Sequence, residues 1–189
     1  MFTTKNIILA SASPRRQDLL KKLKIPFTIK VKSIDEVFSE ELIKEEISNY
    51  LAIKKADAFK NELHKNDILI TSDTIVWHNN QALGKPKDNI EAKEMLQSLS
   101  NKTHQVITSV CLTSTKKQKV FHSLTNVTFK KLTENEIDFY TTNYKPFDKA
   151  GAYGIQEWIG LVAVTKIEGS YFNVMGLPVN KLYEELLKF

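Results

Sequence analysis

The sequence has a single cysteine, Cys111, among 189 residues. That excludes an internal disulfide and any cysteine-rich metal site. No apolar run approaches the roughly 18 residues that a membrane-spanning helix needs. Repeats, low-complexity tracts and Pro/Gly-rich linkers are missing too, so the length fits one domain, 1–189, with room for two lobes. The four histidines, His64, His78, His104 and His122, lack metal-ligand spacing. The N-terminal segment reads MFTTKNIILASASPRR. Its basic pair follows the apolar stretch, the reverse of a secretory signal, so a cytoplasmic location is expected.

Hydrophobic residues make up 42% of the chain, enough for a real core. The formal net charge is +5 and the pI about 9.1. Such a balance suits an anionic partner, either nucleic acid or a small phosphorylated substrate. The lysines are scattered, however. The densest cluster, Lys116-Lys117-Gln118-Lys119, lies between two strand-like runs and reads as a solvated hairpin turn. Charge alone does not choose between the two partners.

Strand and helix patterns alternate. Asn6 to Ala10 is a short apolar strand. Ser13 then sits as a helix N-cap before Pro14, with Leu19, Leu20 and Leu23 on the buried face. Phe27 to Val31 alternates like a strand. A helical apolar period predicts one long helix from near Ser39 to near Leu63. Ile68 to Ile70 is a compact strand, Thr74 to Trp77 begins another, and Asn79-Asn80 marks a tight turn. Asp88 with Glu91, and Thr133 with Glu136, are capping boxes. The second opens a helix with Ile137 and Tyr140 inward. Gln105 to Thr113 and Val120 to Lys130 are long enough to pair as a hairpin. Leu161 to Ile167 reads as a strand, and Leu182, Leu186 and Leu187 belong to a C-terminal helix. Hairpins mixed with helices predict an α/β fold with a mixed sheet flanked by helices.

Five segments carry candidate chemistry. Leu9-Ala10-Ser11-Ala12-Ser13-Pro14-Arg15-Arg16 is a strand, a small-residue turn and a helix start. Free N–H groups, two hydroxyls and two guanidiniums there suit a phosphate. A capped helix with solvated arginines explains the same residues. Asp73 closes the strand-end segment Thr71-Ser72-Asp73-Thr74, where open α/β sheets place ligand groups. Its carboxylate could hold a metal or deprotonate water, and Lys85 in Gly84-Lys85-Pro86 could neutralise a phosphate. A capping Asp and a surface Lys are the plain alternative. Glu36 and Lys55 are a second candidate metal ligand and phosphate clamp. Asp148 to Gln156 concentrates two of the six glycines, and Gln156 can donate and accept at once, as reading a base edge requires. Gly169 to Pro178 is a loop feeding the last helix.

Taken in order, these segments resemble the Maf (septum formation inhibitor) family. The resemblance rests on SxSPRRxxLL, the strand-end SDT, GKP followed by EAxxML, HxVxTxV, FDKAGAYGIQ and GSYxNVxGLP. It runs from Leu9 to about Leu187 and departs at Asn126, where some relatives carry an acid. It implies two lobes around a cleft, similar to the inosine triphosphate pyrophosphatase fold. It implies metal-dependent hydrolysis of dTTP or UTP to the monophosphate and pyrophosphate, and a homodimer. By matched motif, Asp73 takes the proton-acceptor position. Ser11, Arg16, Glu36, Lys55 and Lys85 match phosphate- and metal-handling positions, with Glu36 and Asp73 as metal ligands. Arg15, Thr74 and Gln156 match the positions linked to base choice. Hard oxygen ligands favour Mg²⁺ or Mn²⁺.

Two rival activities remain at this stage. One is a methylated-purine nucleotide pyrophosphatase, disfavoured by the residues at Arg15, Thr74 and Gln156. The other is a nucleic-acid-binding division regulator, for which no helix-turn-helix, zinc-finger or RNA-binding motif is visible. Nucleic acid is therefore not the expected partner. Cys111 reads as a buried small hydrophobe, His104 as a structural hydrogen-bonder, and Trp77 and Trp158 as packing residues.

Overall fold

The computed structural model of the protein describes residues 5–189. Its strands are β1 (Asn6–Leu9), β2 (Phe27–Ile29), β3 (Asp67–His78), β4 (Gln81–Leu83), β5 (Thr103–Thr113), β6 (Gln118–Phe129) and β7 (Val164–Glu168). They form one sheet in the order β2-β1-β3-β5-β6-β7, with β4 paired to β3 off that path. The β1 ladders to β2 and β3 are parallel, whereas β3–β4 and β6–β7 are antiparallel. The sheet is therefore mixed, as the hairpin and helix patterns predict. The helices are α1 (Pro14–Lys22), α2 (Glu45–Asp57), α3 (Asn89–Leu99), α4 (Glu134–Tyr144), α5 (Trp158–Ala163), α6 (Tyr171–Val174) and α7 (Val179–Lys188).

The chain divides into two compact units, one of residues 1–73, 108–123 and 176–189, the other of 74–107 and 124–175. In the first unit Leu9 of β1 lies opposite both Ile29 and Ile70. Ile8 and Leu69 pack with Ala52, Ala56, Phe59 and Cys111, joining the central strands to one face of α2. Leu182 and Leu186 of α7 are buried as expected, but Leu187 is half exposed. The predicted long helix is shorter at both ends. Lys44 has φ +49°, which no right-handed helix continues, and the Glu46 carboxylate accepts the Ile43 N–H just outside the first turn. After Asp57 a 3-10 turn, Lys60–Glu62, replaces the last expected turns.

In the second unit, Val76, Leu96, Leu99, Val127, Phe129, Ile137 and Tyr140 anchor a core beneath α3 and α4. Asn79 and Asn80 both adopt positive φ and turn β3 into β4. The two short strands expected around Asp73 are one continuous strand, β3, so Asp73 lies inside a strand and not at a strand end: the parallel pairing with β1 stops at Ile70, but β3 runs on to pair with β4. The Thr133 box is complete. At Asp88 the side chain caps Ile90 and Glu91 N–H, but Glu91 reaches back to Lys87 N–H instead of Asp88. Leu161 is 82% exposed on α5, and the strand begins only at Val164. A four-residue apolar run satisfies either period, so this boundary is decided by the Gly160 N–H to Glu157 carbonyl bond that starts α5.

Candidate active site

Asp73 is the last residue of the first unit along β3, and it is 7% exposed. A carboxylate so enclosed must be paired to stay ionised. Lys55, near the end of α2, supplies the partner. Its Nζ lies 2.6 Å from Asp73 Oδ1 and 2.8 Å from Glu36 Oε1. One ammonium thus joins a carboxylate from a strand to one from the loop before α2. The Glu36 side chain is 43% exposed and that of Asp73 10%, so the pair is deep at one end and open to solvent at the other.

Arg16 braces the same stretch of β3. Its Nε donates to the Gly176 carbonyl at 2.8 Å and its Nη1 to the Ser72 carbonyl at 2.8 Å. The Ser72 hydroxyl donates to the same Gly176 oxygen at 3.4 Å. The first turn of α1, the residue before Asp73 and the last loop are therefore tied together. Burial pushes the guanidinium pKa down, while Asp73 opposes the shift; Arg15 and Glu36 act more weakly. Arginine stays charged regardless. Arg16 therefore spends two of its donors on backbone, a positioning contribution that the resemblance did not assign.

Ser11 is buried in the turn between β1 and α1. Its Oγ accepts the Ser13 N–H at 3.2 Å, and its carbonyl accepts from Gln17 Nε2 at 3.1 Å. Ser13 does hold the N-cap position before Pro14, yet its own side chain makes no capping bond.

Among the described residues no three His, Cys, Asp or Glu side chains cluster to hold a metal. Two carboxylates, Glu36 and Asp73, do converge on one point. That donor set fits Mg²⁺ or Mn²⁺, which keep several waters and use one or two carboxylates with substrate phosphates. It does not fit a closed protein cage.

The second unit holds Thr74, Lys85 and Gln156. Thr74 is half-buried on β3 directly after Asp73, and Lys85 is exposed. The Gly151 N–H donates to the Gly84 carbonyl at 3.0 Å, which ties the Gly84-Lys85-Pro86 loop to the Asp148–Gln156 segment. Gly151 has φ +68°, and a Cβ there would sit 2.8 Å from Val76 Cγ2. Only glycine meets both demands. Gly151 to Ile155 are buried, whereas Gln156 is exposed. Gln156 occupies the third position of a turn closed by the Glu157 N–H to Gly154 carbonyl bond, 2.9 Å.

Three buried or half-buried groups beneath that turn carry polar chemistry that the sequence reading missed. Tyr140, read only as an inward core residue, donates its hydroxyl to Glu157 Oε2 and accepts the Gly154 N–H at 3.0 Å. Lys149 Nζ lies 3.1 Å from Glu157 Oε1 and 2.7 Å from Asp148 Oδ1. A legible signal did exist, because an inward tyrosine needs a partner for its hydroxyl.

The bland expectations largely hold. His104 is 2% exposed, packs edge-on against Phe129 and Tyr153, and shares a 2.8 Å hydrogen bond between Nε2 and the Tyr153 hydroxyl. Burial, with a smaller push from His78, lowers its pKa to about 3. Cys111 is fully buried and its thiol pKa is raised by burial, so it is a poor nucleophile. Trp158 packs on Phe139 at 4.7 Å. Trp77 differs, since it lines an open depression of about 680 Å³ with Gln105 and Asn126.

The family described as Maf-like protein matches residues 6–189. A dTTP/UTP pyrophosphatase of Christiangramia forsetii is 59% identical over 180 residues, covering 95% of this chain and 92% of that one. A dTTP/UTP pyrophosphatase of Flavobacterium johnsoniae is 57% identical over 180 residues, 95% and 93% of the two chains. Among solved structures, the Ham1 protein of Staphylococcus aureus aligns over 97% of this chain and 99% of its own, with TM-score 0.53 and 16% identity. At that identity the likeness speaks for the fold.

Proposed function

The chain belongs to the Maf family, and on that premise we propose that it hydrolyses dTTP and UTP between the α- and β-phosphates, releasing the monophosphate and pyrophosphate. The observation that carries this is the Glu36–Lys55–Asp73 constellation on β3, braced by Arg16. Water must attack the α-phosphorus while pyrophosphate leaves, and the charge on the phosphate oxygens must be offset. Asp73, held by Lys55, is placed to orient the attacking water and take its proton. Lys55, Lys85 and Arg15 offset phosphate charge, and Arg16 adds its charge while fixing β3 beside Asp73. Ser11 presents its turn to the phosphates. Glu36 and Asp73 would hold Mg²⁺ or Mn²⁺, which when bound polarises the phosphoryl oxygens. Gln156 accepts from the pyrimidine N3–H and donates to a neighbouring carbonyl, with Thr74 and Arg15 bordering base or sugar.

A homodimer belongs to the same proposal, as does a cytoplasmic location, where nucleoside triphosphates are made and used. Light scattering on the purified chain tests the first. The activity is tested with a nucleotide panel, with and without EDTA, and with products identified. Expected are dTMP or UMP plus pyrophosphate, lost in EDTA and restored by Mg²⁺ or Mn²⁺. Nucleoside diphosphate plus orthophosphate would refute the assigned bond. Retention of full activity in EDTA would refute the metal.

A further inference from the structure

We propose that the Tyr140 hydroxyl is a positioning group for base selection: it clamps both ends of the turn that presents Gln156. This rests on the base-selecting role proposed above for Gln156.

The turn runs Gly154-Ile155-Gln156-Glu157 and is closed by its own backbone hydrogen bond. Tyr140 reaches it from α4, fully buried, stacked on Tyr144 with ring centroids 5.0 Å apart. Its single oxygen accepts the N–H of the first turn residue and donates to the carboxylate of the last. The second oxygen of that carboxylate faces Lys149, 7% exposed. Glu157 is thus held on both oxygens by buried groups. Burial, and then the bond to Glu157, raise the phenol pKa, so the hydroxyl keeps its proton and its donor role.

Gly154 leaves room for the same arrangement, since a side chain there would push Glu157 and Lys149 aside. A Cβ there would meet Glu157 Cδ at 2.8 Å and Lys149 Cε at 3.0 Å. Ala152, just upstream, is held at φ +59°, a conformation that a non-glycine keeps only where its surroundings impose it. The segment is therefore over-determined up to Ile155, and the first side chain released to the surface is Gln156. A group that reads a base edge must be held within a fraction of an ångström, and this platform supplies that.

The test is the ratio of kcat/KM for dTTP to that for dGTP, measured for wild type, Tyr140→Phe, Gln156→Ala and the double variant. The ratio is independent of how much enzyme is folded, so a general loss of stability does not move it. Tyr140→Phe keeps the ring and removes the hydroxyl. It is expected to lower the ratio about 12- to 150-fold, the scale of one lost hydrogen bond to a charged group. In the Gln156→Ala background it is expected to change nothing further. Glu157→Gln retains an acceptor for the hydroxyl and is expected to keep most of the ratio, whereas Glu157→Ala loses it. A Tyr140→Phe ratio equal to wild type, with Gln156→Ala strongly reduced, overturns the positioning role and leaves the Gln156 assignment standing. Equal drops from Tyr140→Phe in both backgrounds also overturn it. An unchanged ratio in Gln156→Ala overturns the Gln156 assignment, and the positioning role with it.

Discussion

Replacing Lys55 by methionine removes the ammonium that bridges Glu36 and Asp73 while keeping most of the side-chain volume. The two carboxylates then lose their shared cation, one of them in a side chain only 10% exposed. Removing one partner of a buried ion pair costs about 3–5 kcal/mol. The 43% exposure of Glu36 lets water relieve part of that, so roughly 2–3 kcal/mol is the reasoned figure. For a chain of this length each kcal/mol moves Tm by about 2–4 °C. The variant should therefore melt about 4–12 °C below wild type in EDTA. The same two carboxylates become a better cation site. A divalent ion at about 100 times its Kd adds roughly 2.7 kcal/mol of stability, so Mg²⁺ should raise the variant's Tm more than the wild type's. The assay is thermal unfolding of both proteins in EDTA and in excess Mg²⁺, with turnover measured alongside. A variant that melts within about 1 °C of wild type in EDTA would refute the ion-pair reasoning. A larger Mg²⁺ shift in the wild type would refute the shared-site reasoning.

Asp73→Asn should fold and lose roughly 10²- to 10⁴-fold in kcat, as removal of a general base or metal-holding group does; a folded variant with near-normal kcat would remove Asp73 from the chemistry. Gln156→Glu sets a carboxylate against a pyrimidine carbonyl, so kcat/KM for dTTP and UTP should fall about 5- to 150-fold, with a smaller loss for GTP analogues; equal losses on every base would assign Gln156 to the loop or the phosphates instead. His104 predicts a pH effect on stability. Its folded pKa, about 3, lies below the unfolded value, so the unfolded chain takes up the proton first. The stability is complete above about pH 6.5 and falls as pH drops toward 3, by about 2 kcal/mol at pH 5. Denaturant titrations at several pH values check this, and a flat profile between pH 7 and 5 would contradict it.

Features with a local cause were legible in the sequence. Pro14 starts α1, Asn79-Asn80 turns β3 into β4, and Thr133 with Glu136 opens α4. Each is decided by residues within four positions of one another. What failed depended on a single dihedral or on a length. Nothing in the helical period announces that Lys44 turns to φ +49°, and the Leu161 run suits strand and helix alike. The site was the least legible part. Glu36, Lys55 and Asp73 are separated by 18 or more positions, and each alone reads as a surface charge. The parallel ladder that sets Leu9 beside Ile70 brings the Ser11 turn alongside the Asp73 stretch of β3, and parallel pairing leaves no hairpin signal. Only the ordered motif set supplied that information. Even so it left the Tyr140–Glu157–Lys149 platform unassigned, because those residues work through Gln156.

On the proposed reading, charge balance around Asp73 also explains why a basic chain keeps carboxylates where a polyanion would bind. Glu36 and Asp73 share one ammonium, so the trio carries one net negative charge. Alone it would repel a triphosphate, and the Arg16 guanidinium, which donates to the Gly176 and Ser72 carbonyls, brings positive charge to the same stretch of β3. The trio instead favours a divalent cation, and with that cation the net charge becomes positive. Binding of the anion is thereby coupled to binding of the metal, since each improves the site for the other. On the proposed reading, basic residues elsewhere, Arg15 and Lys85 among them, attract nucleotide broadly, and the carboxylates would admit it productively only as a metal complex. In the EDTA arm of the nucleotide panel, affinity for dTTP should therefore fall together with turnover, and an affinity untouched by EDTA would mean that the carboxylates do not face the phosphates.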